Sequence, residues 1–532
     1  MQAAASTQVA TTGTPQSRDF KEVHDALFEV TRQEANVSQD VTKRQLKRLE
    51  ARSGSIGTYA SPLNRTGSST VFTYDDTSNQ KMRFGTSCLV ISLRIYGTDE
   101  NTACDPMFYS VPWNLLQTLL MGVTFKINNS SKPIFSQVNG NYEPSFRARL
   151  FRFFSREAIN NMGNVLFTPV FGTTYIQQGG VDGSPQYHVL TAAGAVGWAE
   201  KAYLQSARAS RWIGTHSEFR TITKSIPLSV LMGTPDCIVP NLSKFELTIN
   251  WLPNSTGSWT DIVTPGLLEQ ASSDPGAGKT VTKVCVLGCH MMLDLYDLHG
   301  NKQAQLAADK TMGIIDRLSF IDTEVTDQAY VVGSQIQLSA IENLDAVMIF
   351  QRNVRYSTSG LGGIVFDNGT APATGSWASA CQTNLGGNSA AASGATMLRS
   401  ADAYFGVALS ANVAPFRSIF LRYGDVVYPE MALSLCPDSA ADYSEAYEAY
   451  LNACGRAGKR DTSAAVPYEH FKSDMPFIMI RPFADGAPRP SGRRQELILN
   501  LTGGVSSNIT VVVFKLVSYR ILPDGGLVEV QF

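Results

Sequence analysis

The last 25 residues, Asn508 to Phe532, constrain the fold more than any other stretch of the chain. Ile509 to Ile521 contains no Gly or Pro and is dominated by β-branched and aromatic residues, which predicts a strand on the order of 40 Å long. Its first half is apolar on both faces. A strand buried on both faces needs a second packed layer beyond its own sheet, so we predict a sandwich that packs against another element.

Size and composition predict a two-domain, all-β protein. The chain has 532 residues, which is more than a single core usually supports, and its 43 Gly and 24 Pro separate many short apolar runs. A net charge of −2 with 17% charged residues argues against a chain built to coat nucleic acid. Without a signal-like leader, a long apolar span or framework spacing of its eight cysteines, we expect synthesis in the cytosol, no transmembrane segment and reduced thiols.

The first part of the chain, residues 1–54, is predicted to be a flexible leader followed by an amphipathic N-terminal helical arm. Phe20, Val23, Leu27 and Val30 recur at helical spacing, and Ser38 is the predicted cap of a second segment. The polar face of this second segment is basic and comprises Lys43, Arg44, Lys47, Arg48 and Arg52. Two interpretations stay open: a solvated or partner-packed face, or contact with nucleic acid or an anionic membrane.

Short β runs fill the rest, and the Ser, Thr, Gly and Pro-rich stretch Pro253 to Gly278 places a boundary between residues 55–270 and residues 271–532. The clearest predicted strands of the first half are Lys81 to Tyr96, Val123 to Asn128, Phe146 to Phe154, Phe219 to Val230 and Lys244 to Leu252. Those of the second half are Thr280 to Leu298, Gln335 to Leu338, Val347 to Arg352, Phe416 to Tyr423, Met475 to Pro482 and Glu496 to Leu501.

The two halves share a plan. Each carries a long insertion, at residues 156–216 and 357–402, and each finishes on a Pro-containing strand followed by an alternating one. Ser439 to Ala457 is an amphipathic helix in the second half. The prediction is two tandem eight-stranded antiparallel jelly rolls with long loop insertions, a few short helices and the N-terminal helical arm.

Motifs that would carry chemistry are weak, and we predict no catalytic, cofactor-binding or metal-binding residue. Gly276 to Thr280 looks like the tail of a P-loop, but Ser273 stands where a Gly is required and a β pattern follows. Cys285 and Cys289 would share one face of a strand with His290 on the other, and a buried strand is the favoured interpretation. A cation site at the end of that strand and spatial triads around isolated histidines stay open.

Three patches resemble one family. They are Ser225 to Gly233 with Asn241 to Trp251, Tyr443 to Leu451 with Tyr468 to Lys472 and Met475 to Phe477, and Val513 to Gly526. They are similar to segments of the double jelly-roll major capsid proteins of eukaryotic DNA viruses, above all those of polinton-like viruses, adintoviruses and virophages. The resemblance is spread over residues 80–532.

This resemblance implies a homotrimer with a pseudo-hexagonal outline that tiles an icosahedral virion shell. The insertions would be trimer-locking or tower loops, and the basic helix an inner-surface tie. Implied partners are other copies, neighbouring capsomers, penton and minor capsid or cement proteins, and a weak inner-face contact with genome or membrane. No cofactor or small-molecule substrate is expected. Val512, Phe514 and Leu516 would pack between the barrels or at an interface.

Two other functions compete with this one. A receptor-binding or carbohydrate-binding tandem β-sandwich predicts exposed loops lined by aromatic residues, and the insertion at 357–402 holds only Phe366 and Trp377. An enzyme on a β-sandwich would need convergent carboxylates or a metal cluster, which the sequence does not display.

Overall fold

The fold is described from a computed structural model, and strands predominate in it. The described residues are 41–75, 81–96, 109–110, 115–128, 130–166, 177–179, 185–187, 221–234, 244–254, 264–265, 283–298, 300, 304, 317–351, 416–434, 444–454, 464–468, 471, 477–483, 494–503, 507–521 and 527–529.

The first barrel consists of two antiparallel sheets that enclose an apolar core. Its strands are β1 Val41–Glu50, β2 Ser69–Asp75, β3 Lys81–Met82, β4 Cys88–Tyr96, β5 Tyr109–Ser110, β6 Leu120–Ile127, β7 Phe135–Gln137, β8 Gln177–Gly179, β9 Pro185–Tyr187, β10 Ile222–Pro227, β11 Lys244–Trp251, β12 Thr264–Pro265 and β13 Lys283–Leu298. One sheet has the order β1-β13-β4-β10, and the other has the order β2-β11-β6-β7. β3 pairs with Leu295 and Tyr296 of β13 on the side opposite β1, and β5 with β12 and β8 with β9 form two small separate ladders.

The second barrel repeats this arrangement. Its strands are β14 Arg317–Tyr330, β15 Gln335–Ile341, β16 Leu344–Gln351, β17 Phe416–Tyr423, β18 Val426–Ser434, β19 Ile478–Ile480, β20 Gln495–Gly503, β21 Ser507–Ile521 and β22 Leu527–Glu529. The sheets have the orders β14-β21-β16-β19 and β15-β20-β17-β18, with β22 added to β21. The helices of the chain are α1 Leu115–Leu119, α2 Tyr142–Phe153, α3 Arg156–Asn160, α4 Leu228–Met232 and α5 Ser444–Ala453.

The strand order of the two barrels is the same, and it is that of a jelly roll. When the eight strands of the two main sheets are counted along the chain in each barrel, both barrels read 1-8-3-6 in one sheet and 2-7-4-5 in the other. All of these ladders are antiparallel. The prediction of an all-β fold with two tandem antiparallel jelly rolls is therefore confirmed.

Binary patterning explains the individual strands. In β11, Phe245, Leu247, Ile249 and Trp251 point into the core, while the residues between them are partly or fully exposed. The long terminal strand is also present as predicted: β21 pairs with β14 on one side and with β16 on the other. It is thus a central strand of its sheet.

Two predicted elements are wrong. The segment Val41–Glu50 is not a helix but the edge strand β1, which pairs with β13. Its helical spacing misled because β1 is exposed on both faces and so has no period of two. Conversely, the predicted strand Phe146 to Phe154 lies mostly in helix α2. Pro144, two residues before the predicted strand, lies in the first turn of this helix, where proline is favoured.

The division at residue 270 also needs correction. β13 pairs with β4 from Lys283 to Met292, so it completes the first barrel. The prediction that residues 271–532 form the second barrel therefore does not hold for this strand, and the second barrel begins at β14. The other predicted boundary fails as well, because β1 places part of residues 1–54 inside the first barrel. Composition marked a Ser and Gly-rich connection, but this connection leads to the last strand of the first barrel.

Candidate functional site: the junction between the barrels

Helix α2 is the element that joins the two barrels. It follows β7 of the first barrel, and every residue from Tyr142 to Arg152 is buried, including three arginines. A helix that is buried on all sides must pack against more than one layer. One side of α2 covers its own barrel, and another lies against β14 and β21 of the second barrel.

Polar contacts fix the start of α2 against strand β14. The Ser145 hydroxyl lies 2.5 Å from that of Thr323. The side chain of Gln137, on β7, donates to the carbonyl of Thr323, and Asn141 Nδ2 donates to the carbonyl of Val325 at 3.4 Å. Because these groups are buried or partly buried, each bond fixes the register of the barrels as well as their contact.

Arg152 makes the central ionic contact of the junction. Its guanidinium forms an ion pair with Asp345 at the start of β16, and both side chains are buried. Arg152 Nε also donates to the carbonyl of Ala453 at 3.3 Å, and the guanidinium carbon lies 4.6 Å from the centre of the Phe514 ring. Burial lowers the pKa of Arg152, and the Asp345 carboxylate acts against this lowering. A buried charge of this kind is tolerated only with such a partner.

The other two arginines of α2 bind within the first barrel. Arg147 forms an ion pair with Glu143, one turn earlier, at 2.7 Å. Arg149 Nη2 donates to the carbonyl of Leu231 at 3.1 Å, near the end of helix α4. Gly233 follows this helix with a φ of +73°, and a Cβ atom there would lie 2.7 Å from Arg149 Cδ. The Ser225 to Gly233 patch therefore packs against the buried side chain of Arg149.

An aromatic cluster closes the other end of α2. Tyr450, on α5, is fully buried and donates its hydroxyl to the carbonyl of Phe151 at 2.8 Å. The rings of Phe151 and Phe477 stack with centroids 5.8 Å apart, and Tyr450 meets Phe477 edge-on at 5.0 Å. Phe471 extends the cluster and lies 5.0 Å from Phe477. These are the preferred geometries of aromatic pairs, so the cluster adds specific contacts to apolar burial.

The structure buries all three residues that were proposed to pack at an interface. Val512 and Phe514 are 0% exposed and Leu516 is 8% exposed. Phe514 reaches the first barrel, because its ring meets Phe153 edge-on at 6.0 Å. Val512 and Leu516 lie on the same strand, with the backbone N–H of Leu516 donating to the carbonyl of Asn343 at 3.0 Å.

The five basic residues predicted to line a helix lie instead on and just after strand β1. Lys43, Lys47 and Arg52 are exposed, and Arg48 pairs with Glu50 at 2.5 Å on the surface. Arg44 differs, because its guanidinium binds both carboxylate oxygens of Asp294, at 2.8 and 2.9 Å.

Asp294 is fully buried and also accepts a hydrogen bond from the Tyr296 hydroxyl at 2.9 Å. Burial alone would raise the pKa of Asp294, but hydrogen bonds from Arg44, Thr86 and Tyr296 leave it below its usual value. The Asp294 carboxylate is therefore paired with Arg44 and attaches β1 to β13. This structural role replaces the cation site that the sequence had left as an alternative.

Within the described residues, no group of three or more His, Cys, Asp or Glu side chains could hold a metal ion. Cys285 and Cys289 lie buried in β13, as the favoured interpretation of that strand required, and the described cysteines are free thiols. No helix in the described part of the chain is long and apolar enough to cross a membrane. The P-loop-like stretch 276–280 lies outside the described residues.

Sequence reasoning missed the buried arginines of α2. Its helical signals are the Glu143 and Arg147 pair at a spacing of four and Pro144 in the first turn. No local signal gives the partner of Arg152, because Asp345 is 193 residues away in sequence.

The comparisons with known proteins concern this two-barrel architecture. No protein-family model matches the chain, and no curated protein matches its sequence. A chain in the cryo-EM structure of the Sputnik virophage aligns with 100% of this chain and 93% of its own length, with a TM-score of 0.51 and 8% identity.

Two further solved structures have lower scores. The mavirus major capsid protein covers 91% of this chain and 90% of its own, with a TM-score of 0.41 and 9% identity. A chain of the PBCV-1 virus capsid covers 92% and 96%, with a TM-score of 0.43 and 11% identity. At these identities the likeness concerns the fold, and the Sputnik alignment extends it over the whole chain.

Proposed function

We propose that this chain is the major capsid protein of a DNA virus, and that it assembles as pseudo-hexameric homotrimers into an icosahedral shell. The observation that carries the proposal is the pair of jelly rolls with one strand order, fused through the buried helix α2. Three such pairs provide six similar walls around one axis. The full-length likeness to a chain of the Sputnik virophage particle supports this role.

The relative orientation of the barrels supports it as well. α2 lies between β7 and β10, and α5 lies between β18 and β19, so each helix occupies the same connection of its own barrel. The two helices touch, through the Tyr450 hydroxyl on the carbonyl of Phe151 and through Arg152 on the carbonyl of Ala453. The same ends of the barrels therefore lie side by side, as two upright barrels in one wall require.

The junction is built for a permanent contact. It combines apolar and aromatic packing with a buried ion pair and with buried hydrogen bonds to main-chain carbonyls. Interfaces of obligate assemblies have this character, whereas contacts between mobile domains are smaller and more polar. A stiff two-barrel block suits a shell, because each subunit must present fixed angles to its neighbours.

Further partners belong to the same proposal. A shell of trimers needs neighbouring capsomers, a different protein at its fivefold vertices, and minor or cement proteins between capsomers. We place the chain in the virion and propose that it acts through its surfaces, without catalysis, a cofactor or a small-molecule substrate. We also propose a weak contact of the inner face with genome or membrane. Because β1 belongs to the barrel, we assign this contact to residues 1–40, which lie outside the described residues.

Negative-stain electron microscopy of the purified full-length protein tests the function. We expect particles with a hexagonal outline that form sheets or closed shells as protein concentration rises. A receptor-binding or carbohydrate-binding protein would stay as dispersed particles with no lattice at any concentration, and that result would contradict a capsid role.

A further inference from the structure

The two barrels contain equivalent strands and helices, but they differ in which of these elements pack against the other barrel. In the first barrel, Gln137 of β7 donates to the carbonyl of Thr323 in the second barrel, and nearly all of α2 is buried between its own barrel and strands β14 and β21. In the second barrel the equivalent elements are β18 and α5. β18 has no fully buried residue, and only Ala446, Tyr450 and Ala453 of α5 are buried.

The first strands of the barrels show the converse difference. β14, which opens the second barrel, is covered by α2 on the face that buries Thr323 and Val325. β1, which opens the first barrel, is exposed from Lys43 to Arg48, and nothing in the described part of the chain packs over it as α2 packs over β14. Within the described residues, the chain therefore contains one complete junction and one unused half of each kind, β18 with α5 and β1.

The two unused halves have opposite charge. The segment Val41 to Arg52 has five basic residues and one acidic residue. β18 and α5 have three acidic residues, Glu430, Glu445 and Glu448, and no basic residue, and all three are exposed. Opposite patches of this kind attract each other and set the register of a contact.

Both halves also expose apolar side chains. Met431 and Val427 of β18 are 84% and 45% exposed, and Leu46 of β1 is 61% exposed. Such side chains are the kind that a protein interface removes from water. A mixed apolar and charged surface on each side matches the character of the junction inside the chain.

We propose that the acidic surface formed by β18 and α5 binds strand β1 of a second copy of this chain. This contact would reproduce between copies the arrangement that β7 and α2 make with β14 within one copy. It joins two different surfaces, so it is head-to-tail, and a head-to-tail contact closes into a ring when its rotation allows. The inference rests on the proposed trimer and assigns the two surfaces that hold it together.

Charge reversal and charge exchange test this assignment. One variant carries Arg48→Glu and Arg52→Glu, another carries Glu430→Lys and Glu448→Lys, and a third combines all four changes. These positions are exposed, none lies in the Arg44 and Asp294 pair, and Arg48 forms a surface pair with Glu50. Arg65→Glu, at an exposed turn of the first barrel, is the matched control.

Mass by light scattering at low salt is the readout, and circular dichroism verifies that each variant is folded. We expect the wild type and Arg65→Glu to have the mass of three copies, each two-site variant to fall to one copy, and the four-site variant to return to three. High salt should weaken the wild-type trimer, because it screens exposed charges.

Three results would overturn the assignment. Trimeric two-site variants would show that other surfaces hold the copies together, and the trimer itself would stand. Two-site variants that dissociate, without recovery in the four-site variant, would show that the two surfaces do not face each other. A wild type with the mass of one copy at every concentration would overturn both this assignment and the proposed function.

Discussion

Arg152 and Asp345 form the buried ion pair of the junction. Replacing Arg152 by Met leaves the buried carboxylate of Asp345 with Arg481, whose nearest nitrogen lies 3.4 Å away. Removing one partner of a buried ion pair typically costs about 3 to 5 kcal/mol of the free energy of unfolding. We expect a loss of this size in denaturant titrations, and a smaller loss when Asp345→Asn is added.

A surface pair provides the control. Arg494 lies 2.8 Å from Glu342 and is mostly exposed, so Arg494→Met should change stability by less than about 0.5 kcal/mol. Equal effects of the two Met substitutions would show that Arg152 does not hold the barrels together.

Gly233 carries a second prediction at this scale. Its φ of +73° is unfavourable for any side chain, and a Cβ atom would also collide with the buried side chain of Arg149. Gly67 has a φ of +72° with no atom within 4 Å of the position that a Cβ atom would take, so it isolates the backbone effect. Gly67→Ala should cost about 1 kcal/mol, and Gly233→Ala at least about 2 kcal/mol, in thermal or urea unfolding. Similar losses of stability in the two variants would show that Gly233 is not required for the packing of Arg149.

Asp322, on β14 beside α2, carries a pH prediction. Burial raises its pKa to about 6, against the opposing charges of Lys515 and Arg149, and its Oδ1 atom is buried without a hydrogen-bond partner. The folded state therefore holds this proton more tightly than the unfolded state. Its contribution to stability is complete below the unfolded pKa and is lost as the pH rises through about 6.

Asp322→Asn should therefore stabilise the protein relative to wild type by about 1 to 3 kcal/mol at pH 7.5, and by much less at pH 4.5. Urea titrations at the two pH values measure the difference. Asp425→Asn, at an exposed turn, is the control. An advantage of Asp322→Asn that does not change with pH would contradict a protonated Asp322.

At the scale of elements, β1 shows why some strands resist prediction. A strand reveals itself by apolar residues at every second position, and that pattern arises only when one face is buried. β1 has no buried face from Lys43 to Arg48, so its Val41, Leu46 and Leu49 matched a helical spacing instead. β21 was predictable for the opposite reason, because burial in a central strand demanded a continuous apolar run.

The attachment of β1 to the barrel is itself testable. Arg44→Ala removes the bidentate partner of Asp294. We expect the free energy of unfolding to fall by about 1 to 3 kcal/mol, a range that allows for solvent screening of the half-exposed Arg44. Arg48→Ala removes only a surface pair with Glu50 and should be nearly neutral. If residues 41–50 were a detached helical arm, both substitutions would leave the unfolding midpoint unchanged.

Helix α2 shows the limit set by long-range partners. Phe146 to Phe154 is predicted to be a strand because it is rich in aromatic residues. Two of its arginines are buried against partners that lie far away in the sequence, so no local pattern predicts their burial. Arg149 binds carbonyls of α4, and Arg152 binds a carboxylate of the second barrel. Because arginine is rarely buried, sequence reasoning assigns such residues to the surface.

At the scale of the whole molecule, the repeat of one strand order organises the chain. The sequence predicts a Pro-containing strand followed by an alternating strand in both halves, and the observed strands at these places are β10 with β11 and β19 with β20; Pro227 lies in β10, whereas Pro476 lies outside the described residues. The last strand of the first barrel, β13, was assigned to the wrong half, because a Ser and Gly-rich connection precedes it. A jelly roll needs its eighth strand beside its first, which places β13 next to β1.

The central claim is that this two-barrel block associates in threes. Light scattering coupled to size-exclusion chromatography of the full-length protein measures this most directly, over a wide range of protein concentration. The proposed function predicts a single species with the mass of three copies, stable on dilution. A species with the mass of one copy at every concentration would contradict it.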